Sequence, residues 1–309
     1  MGRYLLFFSY LGNRYRGLQK QVKNSNVLDV DCVQGALESA LLTLKPQLLN
    51  PPVFVPSSRT DAGVHSLHNA AHIEIESAKG LLYHPVTVLR TLNRHLLRCK
   101  HEIRVLQCIP ITNQFHARHS AKSRTYLYRL MVAKKFGDRG APICEMNRCS
   151  LVGYENFDIE RAKEATKLFV GLRDFRTFAA VNKGERQIQY RRVISDLTIE
   201  RGSPLLPNDP LSDNFDFWDV TCKGKSFVHN QVRRIVGALC ALGAGRVTEK
   251  DIVTMLQVPS HNNWNPRITP ASANGLFLVK VEYDPLEIEK NTINFKESTF
   301  FPPEEELRK

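Results

Sequence analysis

Short apolar runs with a period of two recur along the whole chain, and they limit the folds open to it more than any other feature. Such runs are typical of half-buried β-strands. They occupy residues 4–10, 53–56, 71–76, 125–132, 193–199 and 275–283. Segments with helical spacing lie between some of these runs, but strands and helices do not alternate strictly. The pattern therefore predicts an α+β protein with a largely antiparallel sheet rather than a doubly wound parallel one.

Three segments carry helical signals of different kinds. Val33, Leu37, Ala40, Leu41 and Leu44 repeat at a spacing that makes one buried helical face. Asp158 precedes a second helical pattern as its N-cap, and Thr248 with Asp251 predicts a capping box for a third. Between these elements, residues 201–213 are rich in Pro, Asp and Ser, which predicts an exposed inserted loop without a function.

Charge and cysteine content narrow the class of protein. The 309 residues include 43 Lys and Arg against 31 Asp and Glu, a formal net charge of +12, which favours a polyanionic partner. Nucleic acid and an anionic membrane both meet that description. Seven cysteines form no CxxC pair, which argues against a zinc ribbon and a disulfide framework, and no apolar run approaches the ~20 residues of a membrane span. We expect an intracellular protein, mitochondrial or cytoplasmic and not secreted, that does not bind membranes.

The segment RTDAGVH, residues 59–65, places a carboxylate and a cation on a glycine-containing turn between two predicted strands. Functional side chains are often carried by loops that a rigid scaffold holds. The structural alternative is that Asp61 only makes an Asx-type turn to the backbone near Gly63. A metal site is a further alternative, because Asp61, His65, His68 and His72 lie within twelve residues. The strand pattern at His72 and the absence of an HExxH arrangement weigh against metal binding.

Two further segments combine basic and aromatic residues. Residues 115–130 (FHARHSAKSRTYLYRL) interleave Arg and Lys with Phe and Tyr, the mixture that phosphate neutralisation and base stacking require. Tyr126 and Tyr128 point to the same side of a strand, so they could equally pack in the core. Residues 227–243 (FVHNQVRRIVGALCALG) predict a helix with Arg233 on the shoulder of its apolar stripe and Arg234 on the solvated side. Arg233 then needs an acidic partner, with Gly237 leaving open space beside it.

These segments together resemble the tRNA pseudouridine synthase A family, and most closely its eukaryotic synthase-like branch, over about residues 4–285. The resemblance rests on RTDAGVH, on FHAR followed by the YxY of Tyr126 and Tyr128, on DFRTF at residues 174–178, and on FVHNQVRRIVG. The chain departs from the family pattern at its N-terminal YDG and GWQRQ, which here read Tyr10-Leu11-Gly12 and Gly17-Leu18-Gln19-Lys20-Gln21, and at Gln231 in place of Met.

The resemblance implies a reaction and roles for individual residues. Asp61 is the catalytic carboxylate, Tyr126 stacks on the target uracil and serves in proton removal, Arg233 pairs with Asp61, and Arg59 helps to displace and hold the flipped nucleotide. No cofactor and no metal is expected. The predicted substrate-binding residues are Arg59, His65, Phe115, Arg118, Lys122, Arg124, Tyr128, Phe227 and Arg234. Of these, Arg118, Lys122, Arg124 and Arg234 are the candidates for phosphate contacts.

The resemblance also implies a two-lobed pseudouridine synthase fold with a central, mainly antiparallel sheet flanked by helices and a cleft between the lobes. We divide the chain into an N-terminal lobe at 1–108 with the Asp61 loop, a C-terminal lobe at 109–285 and a flexible tail at 286–309. The implied partners are tRNA, modified near the anticodon stem-loop, and a second copy in a homodimer. Two other functions stay open: an RNA-binding or chaperone-like protein of the same fold, and a metal-dependent hydrolase built on His65, His68 and His72.

Overall fold

The computed structural model describes residues 1–21, 29–78, 82–135, 140–153, 157–181 and 188–294. The chain divides into two compact units. The first unit comprises Met1–Lys122 and Leu278–Lys309, and the second comprises Ser123–Phe277. The boundary therefore falls after Lys122, not at 108 as predicted, and the C-terminal segment returns to the first unit.

The described elements combine strands and helices in an α+β arrangement, numbered here in chain order. The strands are β1 (Gly2–Tyr10), β2 (Val53–Pro56), β3 (His65–Ile75), β4 (Ile103–Ile111), β5 (Ser123–Ala133), β6 (Ser150–Leu151), β7 (Gly171–Asp174), β8 (Arg191–Arg201), β9 (Phe215–Gly224) and β10 (Leu276–Glu282). The α-helices are α1 (Val33–Leu41), α2 (Pro85–Arg98), α3 (Ile159–Ala165), α4 (Gln231–Gly243), α5 (Glu249–Gln257) and α6 (Pro285–Asn291).

The first unit is built on an antiparallel sheet around β1. This strand pairs with β3 on one side and β4 on the other, β2 pairs with β3, and β10 follows β3 in the strand order. Helices α1 and α2 cover one face of the sheet through a shared apolar core. The core includes Leu6 and Phe8 of β1, Leu37 of α1 and Leu92 of α2, all without exposed surface. The predicted α1 face is thus confirmed.

The C-terminal segment is ordered up to the last described residue. Asp284 caps α6 through its side chain, which accepts a hydrogen bond from the Leu286 amide. After the helix, the Ile293 amide donates to the carbonyl of Pro110 at 2.9 Å, next to β4. A flexible tail from residue 286 is therefore wrong for residues 286–294, because backbone hydrogen bonds and a capped helix fix them. Residues 295–309 lie outside the described part of the chain.

The second unit repeats the antiparallel plan with different helices. Its strand order is β5, β9, β8, β7, and the short β6 pairs with β5 in parallel, so the pairing is mixed but mainly antiparallel. Helix α4 is the most buried of the described helices of this unit, and α3 packs against it. A buried ion pair between Arg129 and Glu145, 2.5 Å apart, joins β5 to the segment before β6.

The loop at residues 201–213 is fastened to that ion pair. Arg129 also donates to the carbonyl of Ser203 at 2.9 Å, and Glu145 accepts from the Leu205 amide at 2.6 Å. The loop contains several exposed side chains, as the sequence predicts, but its backbone is tied to buried charges.

Among the residues that the structure describes, no helix is both long and apolar enough to cross a membrane.

Candidate active site

The RTDAGVH segment forms a tight turn between β2 and β3. The turn is closed by a hydrogen bond from the Val64 amide to the backbone carbonyl of Asp61 at 3.2 Å, and Gly63 has a φ of 80°. A residue with a side chain is strained at such a φ, which explains the glycine. Asp61 itself is half-buried.

A buried polar network fixes the residue before Asp61. The Thr60 hydroxyl lies 2.8 Å from the Tyr10 hydroxyl, and Asn69 donates both to that hydroxyl at 3.2 Å and to the Ser58 carbonyl at 3.1 Å. The Thr60 carbonyl accepts from the Leu18 amide at 3.1 Å. These groups are buried, so a lost partner leaves an unsatisfied polar atom. The network therefore positions the Asp61 backbone from β1, β3 and the N-terminal segment.

Two glycines of the N-terminal segment allow its backbone to lie directly against this turn. A Cβ at Gly12 would lie 2.1 Å from the Val64 carbonyl oxygen, which is far inside van der Waals contact. Gly17 has a φ of 115°, and a Cβ there would lie 3.1 Å from the Thr60 carbonyl oxygen. This close approach was not predicted, and the segment was identified only as a departure from the family pattern. The two glycines were the only hint in the sequence. A glycine indicates a close backbone contact only when the contacting backbone is known.

His65 is a structural residue at the start of β3. Its side chain has no exposed surface, and its Nδ1 accepts a hydrogen bond from the Gly12 amide at 3.0 Å. A direct RNA contact by His65 is therefore wrong, because the ring is enclosed and one nitrogen is committed to the backbone.

The three histidines proposed as metal ligands do not form a metal site. His72 is buried, and its Nδ1 accepts from the Ala117 amide at 3.1 Å. Burial, with smaller effects from Arg3 and His116, lowers the pKa of His72 to about 4. Within the described part of the chain, no group of three or more His, Cys, Asp or Glu side chains is arranged to hold a metal ion. The strand geometry of β3 explains this, because His65 and His68 fall on opposite faces.

The FHAR segment divides into buried and exposed residues. Phe115 is fully buried and packs against Tyr283, with ring centroids 5.3 Å apart, so its predicted RNA contact is wrong. Arg118 and Lys122 are exposed. Arg124 is buried at the start of β5 and donates to the Lys225 carbonyl at 2.5 Å, which contradicts its prediction as an accessible phosphate contact. Its guanidinium instead joins β5 to the segment after β9.

The two tyrosines of β5 share a face, as predicted, but only one has any exposed surface. Tyr126 keeps 8% of its surface exposed, and its ring meets Phe227 edge to face at 5.1 Å. Tyr128 is fully buried, its hydroxyl donates to the Ser272 carbonyl at 2.9 Å, and burial raises its pKa. The prediction that Tyr128 binds substrate is therefore wrong. Tyr126, which contacts the half-buried Phe227, therefore remains the one of the two tyrosines with surface to offer a ligand.

Arg233 is oriented from the first turn of α4. Asn230 precedes the helix in a left-handed conformation with a φ of 60°, and its side-chain oxygen accepts from the Arg233 guanidinium at 2.9 Å. Nε of Arg233 donates to the Ala271 carbonyl at 2.8 Å. Two neutral acceptors of the second unit therefore hold the guanidinium. The expected open space at Gly237 is instead filled by the backbone, since a Cβ there would lie 2.3 Å from the Thr269 carbonyl oxygen.

Arg234 is not on a solvated side of α4. Its guanidinium lies 4.5 Å from the ring centroid of Trp264 and donates to the Thr177 carbonyl of the DFRTF segment at 2.8 Å. Burial lowers the pKa of Arg234. Arg234 is therefore half-buried rather than solvated, and its phosphate contact stays a prediction. Arg59 is exposed, so Arg59, Arg118 and Lys122 are the predicted cations with exposed side chains.

The chain is similar over most of its length to proteins of known name. Residues 165–284 match the model of a family described as tRNA pseudouridine synthase. The tRNA pseudouridine synthase-like 1 of Xenopus laevis is 36% identical over 287 residues, which cover 93% of each chain. The protein of the same name from Homo sapiens is 34% identical over 91% of this chain and 90% of its own. The tRNA pseudouridine synthase A of Caulobacter sp. (strain K31) is 30% identical over 92% of this chain and 99% of its own.

Proposed function

Because the chain belongs to the tRNA pseudouridine synthase family, we propose that it isomerises uridine to pseudouridine in tRNA with Asp61 as the catalytic carboxylate. The single observation that carries the assignment of Asp61 is its placement on a turn that buried hydrogen bonds and two glycine contacts fix in position. A carboxylate used only for solvation needs no such support. Preorganisation of this kind is what catalysis by a fixed group requires.

The reaction breaks the bond between N1 of the uracil and C1′ of the ribose, turns the base, and joins C5 to C1′. The hydrogen on C5 leaves as a proton, and N1 gains one, so no redox step occurs. A fixed carboxylate has two chemical routes here, as a nucleophile on the ribose or as a base that removes a ribose proton. Both routes need Asp61 ionised, which the proposed pairing with Arg233 would favour.

Tyr126 and Arg59 complete the proposed machinery. The target base must leave its stack, which costs a few kcal/mol, so an aromatic face and an inserted side chain are needed. Phe227 holds the Tyr126 ring edge to face, which supports a stacking role combined with proton removal. Arg59 is exposed directly beside the Asp61 turn, which supports a role in displacing and holding the nucleotide.

Tritium release tests the proposed function. Unmodified tRNA that carries uridine labelled at C5 is incubated with the wild type, with Asp61→Asn and with Asp31→Asn, in the presence and absence of EDTA. Asp31 is the matched control because its carboxylate is 72% exposed in the same unit. We expect release by the wild type and the control, with or without EDTA, and none by Asp61→Asn. No release by any protein, with RNA binding intact, would favour an RNA-binding protein instead.

The pairing of Asp61 with Arg233 has its own test. Asp61→Asn, Arg233→Gln and the double variant are compared for tRNA affinity and single-turnover release. Because Asp61→Asn alone is expected to abolish release, the pairing is judged on tRNA affinity: if the two groups act as a pair, their effects on affinity are not additive in the double variant. Additive losses would remove Arg233 from the pairing.

The finer features of the proposal follow the family resemblance. We place the target uridine in the anticodon stem-loop region and the active form in a homodimer. Mapping of pseudouridine along the modified tRNA tests the first, and light scattering of the purified protein at assay concentration tests the second. A modified position outside the anticodon arm, or a monomeric mass with full activity, would overturn the respective statement.

A further inference from the structure

Helix α2 has one apolar side and one basic side. Its apolar side, Val88, Leu92 and Leu96, is fully buried against α1 and β4. On the opposite side Arg90, Arg94 and Arg98 recur every four residues, and all three are exposed. Helical geometry places such residues ~6 Å apart along one line. Residues 85–104 contain one acidic residue, Glu102.

More positive charge collects where α2 ends. Arg14 of the N-terminal segment donates to the Lys100 carbonyl at 3.0 Å, and Arg104 donates to the His101 carbonyl at 2.9 Å. Burial, followed by His95 and Arg14, lowers the pKa of His101, as expected in a positive field. We define the α2 basic face by its exposed cations: Arg14, Arg90, Arg94, Arg98, Lys100 and Arg104.

Helix stability accounts for only part of this arrangement. Cations in the last turn interact favourably with the helix dipole, which applies to Arg98. Arg90 and Arg94 lie outside the last turn, where that benefit fades, and like charges at this spacing repel each other slightly. Helix stability therefore does not explain why three exposed arginines share one side of α2, and a row of exposed cations is the arrangement that a polyanion binds.

The α2 basic face lies close to the Asp61 turn within the first unit. The Leu11 amide donates to the Glu102 carbonyl at 3.0 Å, and the next residue, Gly12, donates to His65 at 3.0 Å and packs against the turn. A single short segment therefore contacts both the connection that follows α2 and the turn that carries Asp61. The α2 basic face and the Asp61 turn belong to one unit, and an RNA chain is long enough to contact both.

We propose that the α2 basic face binds the phosphate backbone of the tRNA substrate outside the reacting nucleotide. This rests on the proposed function, which supplies the RNA. Phosphate contacts position a nucleic acid without reading its sequence, which suits a face made of Arg and Lys alone. An anionic membrane fits less well, because interfacial helices insert their apolar side, and here Val88, Leu92 and Leu96 are already buried in the core.

A triple variant, Arg90→Gln/Arg94→Gln/Arg98→Gln, tests the proposal against a control with the same loss of charge. The control is Lys167→Gln/Lys250→Gln/Arg267→Gln, whose side chains are exposed in the second unit. Arg and Gln have similar helix propensities, so equal urea midpoints for all proteins are expected. Affinity for an unmodified tRNA transcript is measured across a series of KCl concentrations.

We expect the α2 variant to bind at least tenfold more weakly than the control and to have a salt slope lower by about two, at ~0.7–0.9 for each lost phosphate contact. Affinity and slope equal to those of the control would overturn the proposal. Vesicles of phosphatidylserine give a second arm. Vesicle binding that the variant loses while its tRNA affinity is unchanged would assign the face to membranes instead.

Tritium release separates this proposal from the proposed function. With an active wild type, the α2 variant should show its loss mainly in KM. If the wild type releases no tritium, the proposed function fails, yet the salt dependence of tRNA binding still decides whether α2 contacts RNA. A loss confined to kcat, with tRNA affinity unchanged, would also overturn the α2 assignment.

Discussion

The Asp61 turn and the first turn of α4 hold their key side chains in different ways. At the Asp61 turn, backbone packing against Gly12 and Gly17 and a buried network at Thr60 set the position. At α4, hydrogen bonds from the Arg233 guanidinium to the Asn230 side chain and the Ala271 carbonyl set the position. The first arrangement makes position depend on the fold, and the second makes it depend on individual hydrogen bonds. Stability and activity should therefore fall together at the Asp61 turn and separate at α4.

Gly12→Ala should have the largest effect, because its Cβ would meet the Val64 carbonyl oxygen at 2.1 Å and neither backbone can move freely. We expect a loss of about 3 kcal/mol in the free energy of unfolding from overpacking. A displacement of the Asp61 turn by ~1 Å should also lower kcat about a hundredfold. Urea unfolding and tritium release measure the two effects.

Gly245→Ala is the control, since Gly245 has a φ of 68° but nothing within 4 Å of its Cβ position. It should cost only the ~1–2 kcal/mol of left-handed backbone strain, without a loss of activity. Full activity in Gly12→Ala would show that the N-terminal segment does not position Asp61.

Acid should destabilise the first unit, which carries the Asp61 turn, because the buried His72 on β3 must take up a proton. Its pKa of about 4 in the folded protein lies below the ordinary value of 6.5, so the unfolded chain binds more protons between these values. Stability is therefore complete above pH ~6.5 and falls as the pH decreases towards ~4, by about 2–3 kcal/mol in total. Urea unfolding at a series of pH values measures this loss.

The variant His72→Gln isolates that contribution because Gln keeps an acceptor for the Ala117 amide but does not titrate in this range. Its stability should change less between pH 7 and pH 4 than that of the wild type. Parallel curves for the two proteins would mean that His72 is not the acid-sensitive group.

Thr60→Val should have a smaller effect on the same side, because it removes one hydroxyl from the network and leaves Tyr10 with Asn69 as a partner. We expect a loss of about 1 kcal/mol in the free energy of unfolding. We expect kcat to fall by the same free energy, roughly fivefold. Thr254→Val, which removes an exposed bond to the Lys250 carbonyl in α5, is the matched control. Lost stability with unchanged kcat would separate the network from catalysis.

Asn230→Gly should have the smallest effect on stability, because glycine accepts a φ of 60° without strain. It removes the oxygen that orients Arg233, so activity should fall about tenfold, as for a hydrogen bond to a charged group. Asn230→Asp keeps an acceptor and should restore most of the activity. Equal activity in both variants would show that Asn230 does not orient Arg233.

Local patterns predicted much of the secondary structure. The period-two runs matched β1, β2, β5, β8 and β10, and the capping box of Thr248 and Asp251 begins α5 as expected. Helix α2 and strand β4 went unpredicted. Helix α2 is fastened to β4 by Asn93, whose side chain bonds the amide and the carbonyl of Val105 at 2.8 Å. No local pattern reveals this partner.

At the candidate site, the sequence predicted which types of residue are present more reliably than it predicted which side chains are exposed. Aromatic and basic residues near the motifs were predicted to contact RNA, yet Phe115, Tyr128 and Arg124 are buried. Period and charge cannot distinguish a core tyrosine from a stacking one when both lie on the same face of a strand. Only the neighbours on other elements, such as Ser272 above Tyr128, separate the two.

Local periodicity and short motifs were enough to establish the α+β class, the family resemblance and the residues available for chemistry. Tertiary structure decided which of those residues are accessible and what supports them. Gly12 against Val64 and Arg234 beneath Trp264 join positions far apart in the chain. Such contacts arise from the packing of whole elements, so no local pattern encodes them separately.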